Sequence, residues 1–306
     1  MLKGVAVFII VAWIINCFSG FLILLSAKKE LPRVNIIGSQ INHPASLNMS
    51  KYAIEIANQN IYNLSWVSYS SKDAIMLMPE SSLNFPLYSG SKNSALLGRI
   101  LPTDNSILIA GGIKWFAGKI YNVIYGITKS GHIVSTYKKQ KLVPFGEYLP
   151  MRKVLEKFMK PITEEFGDFS TDGERDNYIF YRDLPFIYPI ICYESIFPKN
   201  VKQQILESRT QLSKLDKKYM EEVKLLDVDK RGEMVVNLTN DAWMKWSVAP
   251  YQHFLMTRFL AVSVGLPVVR MSNNGISAYI DKYGRIISRT KLNRKDILFV
   301  NGTYDK

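Results

Sequence analysis

Two cysteines and three histidines are all that 306 residues contain, and that scarcity removes several classes of protein. A disulfide framework needs cysteines that can meet in pairs. Cys17, however, sits in an apolar run near the amino terminus and Cys192 lies far along the chain. His43, His132 and His253 show neither a metal-ligand spacing nor an evident cysteine–histidine dyad, so no metal is expected. Internal repeats and low-complexity tracts are absent too. There is no zinc pattern or recognition-helix signature, so the net charge of +13 does not point to nucleic acid. Attraction to anionic lipid headgroups is the simpler reading of that charge.

Charge is itself missing from residues 4–25. A helix over that stretch is long enough to cross the hydrocarbon core of a bilayer. The run exceeds the 7–15 residues of a signal-peptide core, which favours a membrane anchor over residues 1–27; a cleaved secretory signal is the alternative. Lys3 precedes the run while Lys28 and Lys29 follow it, so a positive-inside count leans against export of what comes next.

With 47% hydrophobic residues, the remaining chain can fill a substantial core. Apolar stretches at 34–40, 74–78, 106–113, 120–128 and 132–137 read as strands, with a turn at 129–131. Further strands are expected at 178–181, 186–191, 234–238, 267–271, 277–280, 285–289 and 297–301. Helices are expected at 46–65 and 250–264. Nearly unbroken apolar strands suit a sheet covered on both faces, and their alternation with helices predicts a layered α/β domain over 28–306. Residues 199–231 are highly charged. Leu212, Leu215, Tyr219, Val223 and Leu226 fall at three- and four-residue steps there, predicting an amphipathic helical insertion that packs on its own domain or meets a membrane surface or partner.

Three expected strands end in residues suited to acyl chemistry: Glu80 in LMPES, a lysine in STYKKQKLVPFGEYLP, and Cys192 in PIICYES. A carboxylate can take the thiol proton and a cation can hold the charge that develops on an attacked carbonyl. Asn240 and Asp241 follow a further strand, and their polar side chains suit holding loops by hydrogen bonds.

The segment KQKLVPFGEYLP, together with ICYE at 191–194, NLTNDAW at 237–243 and RMSNNG at 270–275, resembles the apolipoprotein N-acyltransferases in motif order. The resemblance runs from about Val34 to the carboxyl terminus. It implies a nitrilase-like four-layer α-β-β-α sandwich with one N-terminal transmembrane helix, and it selects Lys139, three residues before Leu142, as the catalytic lysine. It further implies Glu147 and Glu194 as supporting carboxylates. Tyr193 would line an acyl pocket or support the thiol, with core packing the alternative. The implied activity moves a phospholipid acyl chain through a Cys192 thioester to the N-terminal amine of an apolipoprotein, without a cofactor. The implied location is the cytoplasmic (inner) membrane, with the domain on the periplasmic side.

Members of that family carry a multi-helix membrane domain that this chain does not match. The chain therefore reads as a detached catalytic portion, partnered by a separate membrane-domain chain or reduced to an inactive remnant. A carbon–nitrogen hydrolase of amidase or nitrilase type, using the same three residues and water, is the other enzymatic reading.

Overall fold

The computed structural model describes residues 2–44, 52–68, 72–148, 150, 169–173, 175–219, 231–244 and 247–303. Two compact units are present. Met1–Glu30 contains the helix α1 (Leu2–Ser26), of which Gly4–Ser26 is long and apolar enough to cross a membrane. Its large apolar side chains, among them Phe8, Trp13, Phe18 and Phe21, face outward all round. A helix apolar on every side buries that surface in lipid or in protein.

Leu31–Lys306 is the second unit and is built on two sheets. Strands β1 (Asn35–Gln40), β2 (Ala74–Leu83), β3 (Ile107–Phe116), β4 (Lys119–Thr128), β5 (Ile133–Lys138) and β11 (Asp296–Val300) form one, in the order β11-β1-β2-β3-β4-β5. The other runs β10-β9-β8-β7-β6, from β6 (Phe186–Ile191), β7 (Glu233–Thr239), β8 (Val268–Ser272), β9 (Ala278–Ile280) and β10 (Ile286–Arg289). β1, β2 and β3 pair in parallel, as do β6, β7 and β8.

Alternate residues of these strands point to opposite faces, and both faces are covered. Ile36, Leu77, Ile109, Ile124, Ile187, Val236 and Val269 meet between the sheets. On the outer face of the six-stranded sheet, Ile37, Met76 and Leu108 pack with Ala57 and Leu64 of α2 (Ala53–Ser68) and Leu97 of α3 (Lys92–Gly98). The five-stranded sheet presents Tyr188, Ile190 and Val235 to Val201 and Ile205 of α4 (Pro198–Tyr219) and to Phe254, Leu260 and Ala261 of α5 (Ala249–Val264). The result is the expected α-β-β-α sandwich. Each fully buried aliphatic side chain contributes roughly 1.5–3 kcal/mol of transfer free energy, so the double coverage explains the near absence of polar alternation in these strands.

Two expectations need correction, and one helix was not expected. Residues 178–181 are not a strand: Ile179 makes one isolated bridge to Ile187, and the chain then turns so that the Leu184 amide donates to the Tyr181 carbonyl. α3 carries too short an apolar pattern, seven residues, to be read from periodicity. β2 runs through Leu83 rather than stopping at Met78. Helix α4 buries Val201, Ile205 and Leu212; the side chains of Leu215 and Tyr219, and Val223 and Leu226, lie outside the described residues, as does the start of the helix expected at 46.

Candidate active site

Pro79 sits inside β2 and has no amide hydrogen to give to the sheet, so the ladder is interrupted there. Pairing with β3 slips between Met78 and Leu83, and Ser81 adopts a left-handed backbone with φ 61°. The bulge turns Glu80 toward the space between the sheets. Opposite it, β3 carries Gly111, where an added Cβ would lie 2.6 Å from Glu80 Cα and 2.7 Å from the Pro79 carbonyl oxygen. Only glycine lets β3 approach this closely.

Lys139 directly follows β5, and its amide extends the ladder by donating to the Asn122 carbonyl (2.9 Å). Its side chain is 1% exposed. Nζ donates to Glu147 Oε1 at 2.8 Å and to Glu80 Oε1 at 3.3 Å. Burial by itself lowers the ammonium pKa, but the Glu80 and Glu147 carboxylates outweigh it and the net shift is upward. Lys139 is therefore a fixed cation. The preceding Lys138 is buried as well, with its ammonium 4.4 Å from the centroid of the Tyr121 ring.

Glu147 belongs to the loop after Lys139. Its Oε2 accepts the Val143 amide (2.8 Å) and its Oε1 takes Lys139, so the VPFGE segment folds back on the cation that precedes it. Asn122 on β4 was not anticipated. Its Nδ2 donates to both Glu80 Oε1 (2.8 Å) and Glu147 Oε1 (2.9 Å), tying the two carboxylates together. A lone polar residue in the apolar run KIYNVIYGIT was the available signal.

Cys192 ends β6 and opens a short 3₁₀ turn, Cys192–Ile196. Its φ of 48° is a left-handed conformation that a cysteine holds only when its surroundings impose it. The thiol is buried. Burial pushes its pKa up, Glu80 pushes the same way, and Lys139 opposes without cancelling them. The thiol thus carries its proton at rest and needs a base. Glu80 contacts Lys139 at 3.3 Å and accepts the Asn240 amide, and the carboxylate of the next residue, Asp241, lies within 4.8 Å of the Cys192 sulfur, so the three predicted residues share one region of the fold.

Glu194 joins two edges of that centre. Its carboxylate accepts from the amides of Ile191 (2.7 Å) and Gln140 (2.6 Å) and from the Tyr137 hydroxyl (2.9 Å to Oε2). Burial raises its pKa, and those backbone donors act in the opposite sense. It staples the turn of the nucleophile to the residues that follow the lysine strand. Tyr193 is half-buried, its ring edge-on to Phe197 at 5.1 Å between centroids.

Across the sheets, the Asn240 amide donates to Glu80 Oε2 (2.9 Å). Asp241 is fully buried and paired with His253 Nδ1 (2.9 Å) and Arg270 Nη2 (2.6 Å). Burial alone would raise its pKa, but Arg270 and His253 bring it down to about 2. His253 does come close to the nucleophile, which its spacing along the chain did not suggest, but through the backbone: its Nε2 lies 3.1 Å from the Cys192 carbonyl oxygen. Ligand atoms of Cys192, Asp241 and His253 lie within 4.8 Å of one another, and the Arg270 guanidinium takes Asp241 Oδ2. Ile41, His43, Glu80, Asn240 and Asn273 line a narrow pocket of about 10 Å³.

The family model for carbon-nitrogen hydrolases matches residues 89–207 and 215–302. Apolipoprotein N-acyltransferase from Rickettsia typhi is 36% identical over 208 residues, 66% of this chain and 36% of that protein. The Rhizobium rhizogenes protein of the same name is 31% identical over 290 residues, 91% of this chain and 49% of the relative. The chain thus spans half or less of the length of these curated relatives. A carbon-nitrogen hydrolase from Helicobacter pylori superposes with a TM-score of 0.53 at 12% identity, covering 87% of this chain and 88% of the other. Saccharomyces cerevisiae Nit3, described as a member of branch 10 of the nitrilase superfamily, gives 0.54 at 14% identity over 90% and 92%. These structures share the fold. With two thirds of its length matched by one family model, the chain belongs to the carbon-nitrogen hydrolase family.

Proposed function

We propose that this chain is the acyl-transfer unit of an apolipoprotein N-acyltransferase, carrying an acyl group from a phospholipid to the N-terminal amine of an apolipoprotein. The observation that carries the chemistry is the convergence of Glu80 from the bulge in β2 with Lys139 and Cys192, which directly follow β5 and β6, in one buried region. The choice of an amine as acceptor rests on likeness to relatives of that name.

In the first half-reaction Glu80 takes the thiol proton as Sγ attacks the ester carbonyl. The oxyanion of the tetrahedral adduct forms beside the Lys139 ammonium. Collapse breaks the acyl carbon–oxygen bond, and the leaving lysophospholipid oxygen receives the proton held by Glu80. In the second, the acceptor amine attacks the thioester and gives a proton to Glu80; that proton returns to sulfur as the carbon–sulfur bond breaks, leaving an amide and a free thiol. Glu147 and Asn122 fix Lys139 and Glu80, Glu194 holds the loop that presents the nucleophile, and Tyr193 flanks it.

Helix α1 serves in this reading as a single-pass anchor in the inner membrane, with the domain on the periplasmic side and a separate chain supplying the larger membrane domain. The carbon-nitrogen hydrolase family match supports a second reading, hydrolysis of a small amide by water at the same three residues. Intact-mass analysis of the membrane-reconstituted chain incubated with phospholipid separates them. The expected result is a hydroxylamine-sensitive acyl adduct, absent from Cys192→Ser and Glu80→Gln. A folded wild type that forms no adduct yet releases ammonia from a small amide would favour the hydrolase.

A further inference from the structure

We propose that Arg270, Asp241, His253 and Ser195 form a buried relay that positions the nucleophile by holding the backbone carbonyl of Cys192. The role deepens the acyl-transfer reading, since it concerns the same thiol, but it applies to attack on any electrophile.

The Cys192 carbonyl is held from three sides. Ser195 Oγ donates to it at 3.0 Å, Asn237 Nδ2 donates at 3.3 Å, and His253 Nε2 stands 3.1 Å away, also 3.1 Å from Ser195 Oγ. The imidazole is oriented from its other edge. Asp241 is kept ionised by Arg270, so its Oδ1 only accepts, and the Cys192 carbonyl at the opposite edge only accepts as well; holding both partners calls for a hydrogen on Nδ1 and on Nε2 of His253 together. Arg270 is anchored in turn, donating to Thr257 Oγ1 (3.1 Å) and the Ile276 carbonyl (3.2 Å), and it is fully buried. Gly275 completes the cradle: a Cβ there would lie 2.1 Å from Asp241 Oδ2.

A fixed carbonyl matters because it sets ψ of Cys192 and so, together with the left-handed φ of 48°, the course of the 3₁₀ turn that begins at the nucleophile. The turn after β7 links the two halves of the site. Asn240 holds Glu80 through its amide while the next side chain, Asp241, holds the relay to Cys192. Base and nucleophile are thereby referred to one rigid segment. Arg270, Asp241, His253 and Ser195 touch no reacting atom and are positioning residues.

Two substitutions at one position test this in the full-length chain in detergent, on a Cys17→Ala background. Glutamine can place an amide nitrogen near the position of Nε2 and keep the contact to the Cys192 carbonyl; asparagine reaches only the position of Nδ1 and keeps Asp241. The readout is the rate of Cys192 alkylation by iodoacetamide at neutral pH, followed by peptide mass, with Lys139→Ala as the slow control. His253→Asn is expected to fall about 30-fold, within the 10–100-fold range seen when supporting-shell hydrogen bonds are removed. His253→Gln should stay within about threefold of wild type. An asparagine variant that reacts as fast as the glutamine variant, whether both are fast or both slow, overturns the positioning role. If His253→Asn fails to fold, Ser195→Ala carries the same test: slower alkylation at an unchanged melting temperature supports the relay, and the wild-type rate overturns it. Alkylation requires neither phospholipid nor apolipoprotein, so a wild type that forms no acyl adduct leaves this result readable.

Discussion

Asp241 has both carboxylate oxygens committed, one to His253 and one to Arg270, with no exposure to water. Its folded pKa of about 2 lies below the ordinary 3.8. A group depressed in this way contributes stability that is present above pH 3.8 and is lost as pH falls through about 2. Asp241→Asn removes that contribution and leaves the Arg270 charge buried without its partner, a change that costs on the order of 3–5 kcal/mol. Urea unfolding at a series of pH values checks it: the variant's deficit should be large at neutral pH and shrink as the wild type is acidified below pH 3.8. A deficit that is constant with pH would mean the carboxylate charge is not what the site uses. The same buried pair explains how a full guanidinium fits in strand β8, VVRMS, where a charge stands among apolar residues.

At the scale of elements, β2 and β3 are the pair on which the base depends. The slip in their register lifts Glu80 out of the ladder, and the absence of a side chain at Gly111 leaves room for it. Gly111→Ala must displace backbone rather than a flexible side chain. A misplacement near 1 Å is expected to lower thioester formation by about 100-fold, with a smaller loss of stability of about 1–3 kcal/mol from overpacking. Single-turnover acylation measured beside thermal unfolding distinguishes this from general destabilisation; equal activity of the variant and wild type would remove β3 from the account. The end of β2 was not legible, since Pro79, Glu80 and the serines after it break the apolar run while the strand continues. Element positions were legible where the chain is doubly buried, because continuous apolar runs have a simple cause. The 178–181 segment was misread for the same reason: its apolar residues pack under the sheet edge without joining it.

At the scale of the molecule, a helix apolar on all sides precedes a unit with its own doubly packed core. Removing residues 2–27 should leave cooperative unfolding of the second unit intact while lowering its bound fraction on neutral phosphatidylcholine vesicles by about tenfold or more. The chain carries a net charge of +13, so residual binding is expected on anionic vesicles and should vanish as salt shortens the screening length. Flotation of both forms at low and high salt measures each part. Salt-resistant binding of the shortened form to neutral vesicles would move the membrane contact onto the second unit.

The amino-acid sequence by itself determined the apolar anchor candidate and most of the strands, and it nominated Glu80, Lys139 and Cys192, because each depends on a local pattern or a short motif. Tertiary structure alone decided what surrounds them. Asn122 reaches Glu80 across 42 residues, Glu194 reaches Gln140 across 54, and His253 reaches the Cys192 carbonyl across 61. Such contacts leave no period or spacing along the chain, since they exist only once two sheets have closed over a common core and brought their strand ends together.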